Sequence, residues 1–97
     1  MAMIIYTRDF LRHGGIIIQG GEEVKTNLKA GKAGASYLPD FNTILFLDDA
    51  TITEVLEETY HAKQDRIGMF SNYSKEETHC LREIDAQHYL LSLQKKV

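Results

Sequence analysis

Two periods of apolar residues divide the chain. Up to Leu47 they come in short runs broken by glycine, and from Thr51 onward they recur at helical spacing. Ile4 to Thr7 and Ile16 to Gln19 are rich in β-branched residues and read as strands, with Gly14-Gly15 and Gly20-Gly21 as turns. Val24 to Gly34, with Lys25, Lys29, Lys32, Gly31 and Gly34, reads as an exposed loop or a frayed helix. Ala35 to Leu38 and Thr43 to Leu47 are apolar runs on either side of Pro39-Asp40-Phe41-Asn42, which predicts a hairpin. Thr51-Ile52-Thr53-Glu54 is a capping box, and Ile52, Val55, Leu56, Thr59, Tyr60, Lys63 and Ile67 trace one side of a helix from about Thr53 to Ile67 that Gly68 stops. Ser74 caps a further helix that continues to about Lys95, with Leu81, Ile84, His88 and Leu91 as its apolar positions, widened by Tyr89, Leu90 and Leu93. The expectation is a single α+β domain spanning 1–97: a small antiparallel sheet in the N-terminal half, then two helices packed on it and on each other.

Composition narrows the function classes. Eleven Lys plus Arg against fourteen Asp plus Glu give a net charge of −3, so no broad positive field gathers phosphates and nucleic acid is not an expected partner. The longest apolar runs, Ile16-Ile17-Ile18 and Ile44-Leu45-Phe46-Leu47, fall far short of the roughly 20 residues that span a bilayer. A soluble chain without membrane partners is expected, and the residues shown carry no secretory signal. Cys80 is the one cysteine, which excludes intrachain disulfides and multi-cysteine zinc knuckles. Any metal must be held by His and carboxylates.

The chemistry-bearing stretch is Glu54-Val55-Leu56-Glu57-Glu58-Thr59-Tyr60-His61-Ala62-Lys63-Gln64. On a helix, Glu57 and His61 lie one turn apart on one face, with Glu58 beside them. Both could reach one cation. A hydrolytic metal site needs three protein ligands, an open position and a carboxylate close enough to take a proton from water. Glu83, 22 residues after His61, is far enough along for a second helix to bring it alongside. Asp85 and His88 compete for that place, and His79 lies nearer the loop. Glu58-x-x-His61 and Asp85-x-x-His88 also have the spacing used in di-iron carboxylate bundles, which here would require a dimer.

A resemblance gathers these residues. Zincin metallopeptidases carry His-Glu-x-x-His on a helix and, in one branch, a Glu from a following helix as third ligand. Ala35-Ser36-Tyr37-Leu38-Pro39, Thr43 to Leu47, Ala50-Thr51 and the segment Glu54 to Gln64 together resemble the zincin-like toxin domains of bacterial polymorphic toxins, over about Ala33 to Leu91. Arg82-Glu83 fits the downstream Arg-Glu pair of that family. The resemblance implies a metallopeptidase, possessing metal ligands Glu57, His61 and Glu83 with Glu58 as catalytic base. It further implies a protein or peptide substrate bordered by the strand Thr43 to Leu47, an immunity protein as partner, and origin within a secreted toxin.

This sequence departs from the motif at its first position, where Glu57 stands in place of His. Two carboxylates with one imidazole still bind zinc, but they favour harder ions such as Mn or Fe and raise the pKa of water at the ion. The alternative is therefore a zincin-shaped domain without catalysis, acting as a binding or regulatory module. Phe70 and Tyr73, in the connection between the helices, are expected to be exposed and available to an interface.

Overall fold

A computed structural model describes residues 2–31 and 34–95. In chain order the elements are α1 (Ala2–Arg12), β1 (Ile16–Gln19), α2 (Glu22–Gly31), β2 (Ala35–Leu38), a 3₁₀ turn (Pro39–Phe41), β3 (Thr43–Phe46), α3 (Ile52–Arg66) and α4 (Lys75–Lys95). The class is α+β: three strands in the N-terminal half, followed by two packed helices.

The first strand expected from the sequence is a helix. Ile4 to Thr7 lies inside α1, because the β-branched run belongs to a longer pattern in which Thr7 and Phe10, three residues apart, are both buried. That face packs on α3. Gly15 follows where a Cβ would collide with the Phe10 ring, so the chain turns out of α1 only with glycine there.

The sheet has the order β1-β3-β2. The expected hairpin is present, with β2 antiparallel to β3 from Ala35 opposite Phe46 to Leu38 opposite Thr43. The other pairing departs from the expected antiparallel sheet, since β1 runs parallel to β3. Helix α2 and the reversal through β2 intervene between them, so β3 returns in the direction of β1. Val24 and Leu28, four residues apart, are the buried positions that make α2 a helix rather than a loop. Lys32, counted with that segment, and Ala33 lie outside the described residues.

As the central strand, β3 is buried at all four positions, which is why its sequence is apolar without alternation. Ile44 and Phe46 join Phe10, Ala35, Val55 and Ala62 in the main core. Leu45 faces the opposite side, against Val24 and Leu28. Burying a side chain such as Phe46 or Ile44 contributes about 1.5–3 kcal/mol. Both edges of β3 are paired, so it cannot take a substrate strand, as the sequence suggested for Thr43 to Leu47. The strand bordering the cleft described below is β2.

Helix α3 starts at the expected capping box. Thr51 Oγ accepts from the Glu54 N–H at 3.1 Å, and the Glu54 carboxylate accepts from the Thr51 N–H at 2.9 Å. It ends before Gly68, whose φ of +67° suits the residue that leaves a helix. Ser74 and Glu77 form the same reciprocal pair at the head of α4. The apolar stripe expected on α4 is packed only in part: Ile84 and Leu91 are 54% and 52% exposed, Leu81, Tyr89, Leu90 and Leu93 are half-buried, and the fully buried position is Ala86. Tyr89 stacks on Tyr60 of α3 with ring centroids 4.1 Å apart. Having α3 as its principal neighbour, α4 needs only a narrow contact strip. In the connection, Tyr73 is exposed as expected but Phe70 is half-buried. Among the described residues no helix is long and apolar enough to cross a membrane.

Candidate metal centre

Helix α3 carries Glu57, Glu58 and His61 on the side that meets α4 and β2. One ligand atom from each lies within 4.8 Å of the others, and all three residues are half-buried. This group could hold a metal ion. Glu83 arrives from α4 with Oε1 3.3 Å from His61 Nε2. Two ligand atoms on one tetrahedral ion at 2.0–2.1 Å stand roughly 3.3–3.4 Å apart, so the observed separation is that of neighbouring ligands. Glu83 is not part of the three-residue group itself; it approaches from the imidazole side.

Each carboxylate has a distinct environment. Glu57 accepts from Gln87 Nε2 of α4 at 2.8 Å. Glu58 Oε1 accepts from the backbone N–H of Tyr37 in β2 at 2.9 Å. Burial pushes the Glu58 carboxyl up to about 7, with Glu57 and Glu83 adding to the rise while His61 and the Tyr37 N–H oppose it. Glu83 is more open than the imidazole it faces, its side chain 46% exposed against 16% for His61.

The imidazole is oriented by Gln64. Gln64 Nε2 donates to the Arg82 carbonyl at 2.9 Å and to Asp85 Oδ2 at 3.1 Å, so its amide oxygen is the atom 2.8 Å from His61 Nδ1. An amide oxygen only accepts, hence Nδ1 carries a hydrogen. Nε2 then presents to the Glu83 carboxylate either a lone pair, which is unfavourable, or a site for a cation between them. Arg82 does not serve, because its guanidinium is turned to the Met69 carbonyl at 2.9 Å and Asp65 Oδ1 at 3.3 Å. The donor set of imidazole and carboxylates, with charge gathered in a half-buried spot, fits a divalent ion.

Of the candidate ligands and base, three residues but not Glu57 line a cleft of about 320 Å³, together with Ser36, Tyr37, Pro39, Asp65, His79 and Arg82. Glu58, His61 and Glu83 all open into it. His79 stands at its wall, one turn before Glu83 on α4, and is not among the clustered ligand atoms. Asp85 is turned to Tyr60, whose hydroxyl donates to Oδ2 at 2.6 Å. His88 is exposed, so the Asp85-x-x-His88 pair does not converge with Glu58-x-x-His61. Gln64, fully buried, entered the sequence reading only as part of the resemblance. Its spacing of three from His61 is the one signal that could have marked it.

Compared with known proteins, the chain matches no protein-family model, no curated protein and no solved structure.

Proposed function

We propose that the chain is a metal-dependent peptidase of the zincin-like toxin kind, with Glu57, His61 and Glu83 as ligands and Glu58 as general base. One observation carries the reading: His61 Nε2, on a ring held through Nδ1 by Gln64, stands 3.3 Å from a carboxylate oxygen of the neighbouring helix, with two more carboxylates alongside. A divalent ion there, zinc or the harder Mn or Fe, supplies Lewis acidity toward water and a peptide carbonyl. Glu58 has the attributes of a base for this reaction. One of its oxygens is held by the Tyr37 N–H, which fixes the carboxyl where it can take a proton from the attacking water and pass it to the departing amine. Ser36 and Tyr37 of β2 form the cleft wall, and a protein or peptide substrate lies along that side.

A second reading is favoured by the motif's first position and by the tightness of the three-residue group. If Glu58 itself joins Glu57 and His61 on the ion, no carboxylate in that group is left as a base. The chain is then a metal-holding or metal-free binding module, recognised by an immunity protein if it is part of a toxin. Hydrolysis of a mixed quenched-fluorescent peptide library in Zn²⁺ or Mn²⁺ separates the two. The peptidase cleaves peptides and loses cleavage, though not metal, in Glu58→Gln. The module cleaves nothing with either ion.

A further inference from the structure

A glutamine rarely sits at the centre of a helix pair, yet Gln64 is fully buried between α3 and α4. All of its amide contacts bear on the candidate centre. Its oxygen meets His61 Nδ1 on its own helix. Its nitrogen holds the carbonyl of Arg82 and the carboxylate of Asp85, which flank Glu83 in the sequence. A single side chain therefore orients one candidate ligand and fixes the turn that carries another. Reversing the amide would set its oxygen against two acceptors, the Arg82 carbonyl and the Asp85 carboxylate, and lose both hydrogen bonds to α4. Tyr60 reinforces the arrangement by donating to the same Asp85 oxygen.

We infer that Gln64 is the positioning residue of the centre, selecting the Nδ1–H form of His61 and holding the 82–85 turn of α4 so that Glu83 faces Nε2. The inference rests on the metal reading above for its effect on ion affinity, while the effect on the imidazole stands without any ion. Outer hydrogen bonds of this kind fix ligand tautomer and ring orientation, and their loss typically lowers metal affinity about 10–100-fold. Gln64 differs from a carboxylate partner in being neutral. It orients the ring without adding negative charge to a site already rich in carboxylates.

The test uses the full chain, labelled with ¹⁵N, in two variants. Gln64→Met keeps the length of the side chain and removes every hydrogen bond. Gln64→Glu restores an acceptor for Nδ1–H but not the two donors. Long-range ¹H–¹⁵N spectra of the His61 ring in metal-free protein under alkaline conditions should show the Nδ1–H form in wild type and in Gln64→Glu, and a shift toward Nε2–H in Gln64→Met. Titration with Zn²⁺ and Mn²⁺ should show affinity reduced about 10–100-fold in Gln64→Met and partly recovered in Gln64→Glu. An Nε2–H form in wild type overturns the inference, as does an unchanged ring and affinity in folded Gln64→Met. If Gln64→Met does not fold, the wild-type and Gln64→Glu spectra decide. Wild type that takes up neither ion removes the peptidase reading, and the ring spectra then judge the role of Gln64 separately.

Discussion

His61 Nε2 and Glu83 Oε1 stand 3.3 Å apart although 22 residues separate them in the chain. Two helices bring them together, and the cleft opens where they meet. The contact depends on the seam between α3 and α4, where Ala86 is buried, Tyr60 stacks on Tyr89, and Gln64 links the two backbones.

The seam should be sensitive to volume. Ala86 is fully buried and lies one turn beyond Glu83, so Ala86→Leu forces α4 away from α3. A loss of about 1–3 kcal/mol in urea unfolding is expected, together with weaker binding of Zn²⁺. Ile84→Ala, at a position 54% exposed, should change stability far less.

Glu58 should make metal-free protein less stable as pH rises. Its folded-state carboxyl titrates at about 7 against an ordinary 4.5, so the folded chain keeps the proton longer than the unfolded one. Stability contributed by the protonated form is fully present below about 4.5 and is lost as pH rises through about 7. Glu58→Gln, which keeps an acceptor for the Tyr37 N–H, should raise metal-free stability by on the order of 2–3 kcal/mol above neutrality. Urea titrations across this range should show the gain vanish at acid pH. The same variant should abolish peptide hydrolysis and retain the metal.

The chain's own spacing made α3 legible. The capping box and the following Gly68 bracketed it, and the one-turn separation of Glu57 and His61 put both on one face. The hairpin was readable from Pro39 and Asn42 between apolar runs. Other features depend on contacts distant in sequence. Ile4 to Thr7 has strand composition in a short window but becomes helix because Phe10 docks on the core. The parallel pairing of β1 with β3 follows from how α2 packs, which no local pattern states. On α4, Ile84 and Leu91 have the hydrophobicity of a core stripe, yet the fully buried position is small Ala86. Gln64 was hidden for a related reason: an apolar period marks buried hydrophobes, not a buried amide whose partners lie on another helix.

The start of α3 should be separable from the chemistry. Thr51→Ala removes the side-chain acceptor for the Glu54 N–H, and a loss of about 1 kcal/mol in thermal or urea unfolding is expected. Glu57, Glu58 and His61 all lie more than one turn beyond the helix start, so metal uptake by the folded variant should stay close to wild type.

The most direct measurement is metal content of protein purified without chelator or His tag, then loaded with Zn²⁺ or Mn²⁺ and freed of excess ion. Wild type should hold about one equivalent, and His61→Ala and Glu57→Ala should each lose it. Wild type that retains neither ion, or both variants retaining as much as wild type, would contradict the metal centre.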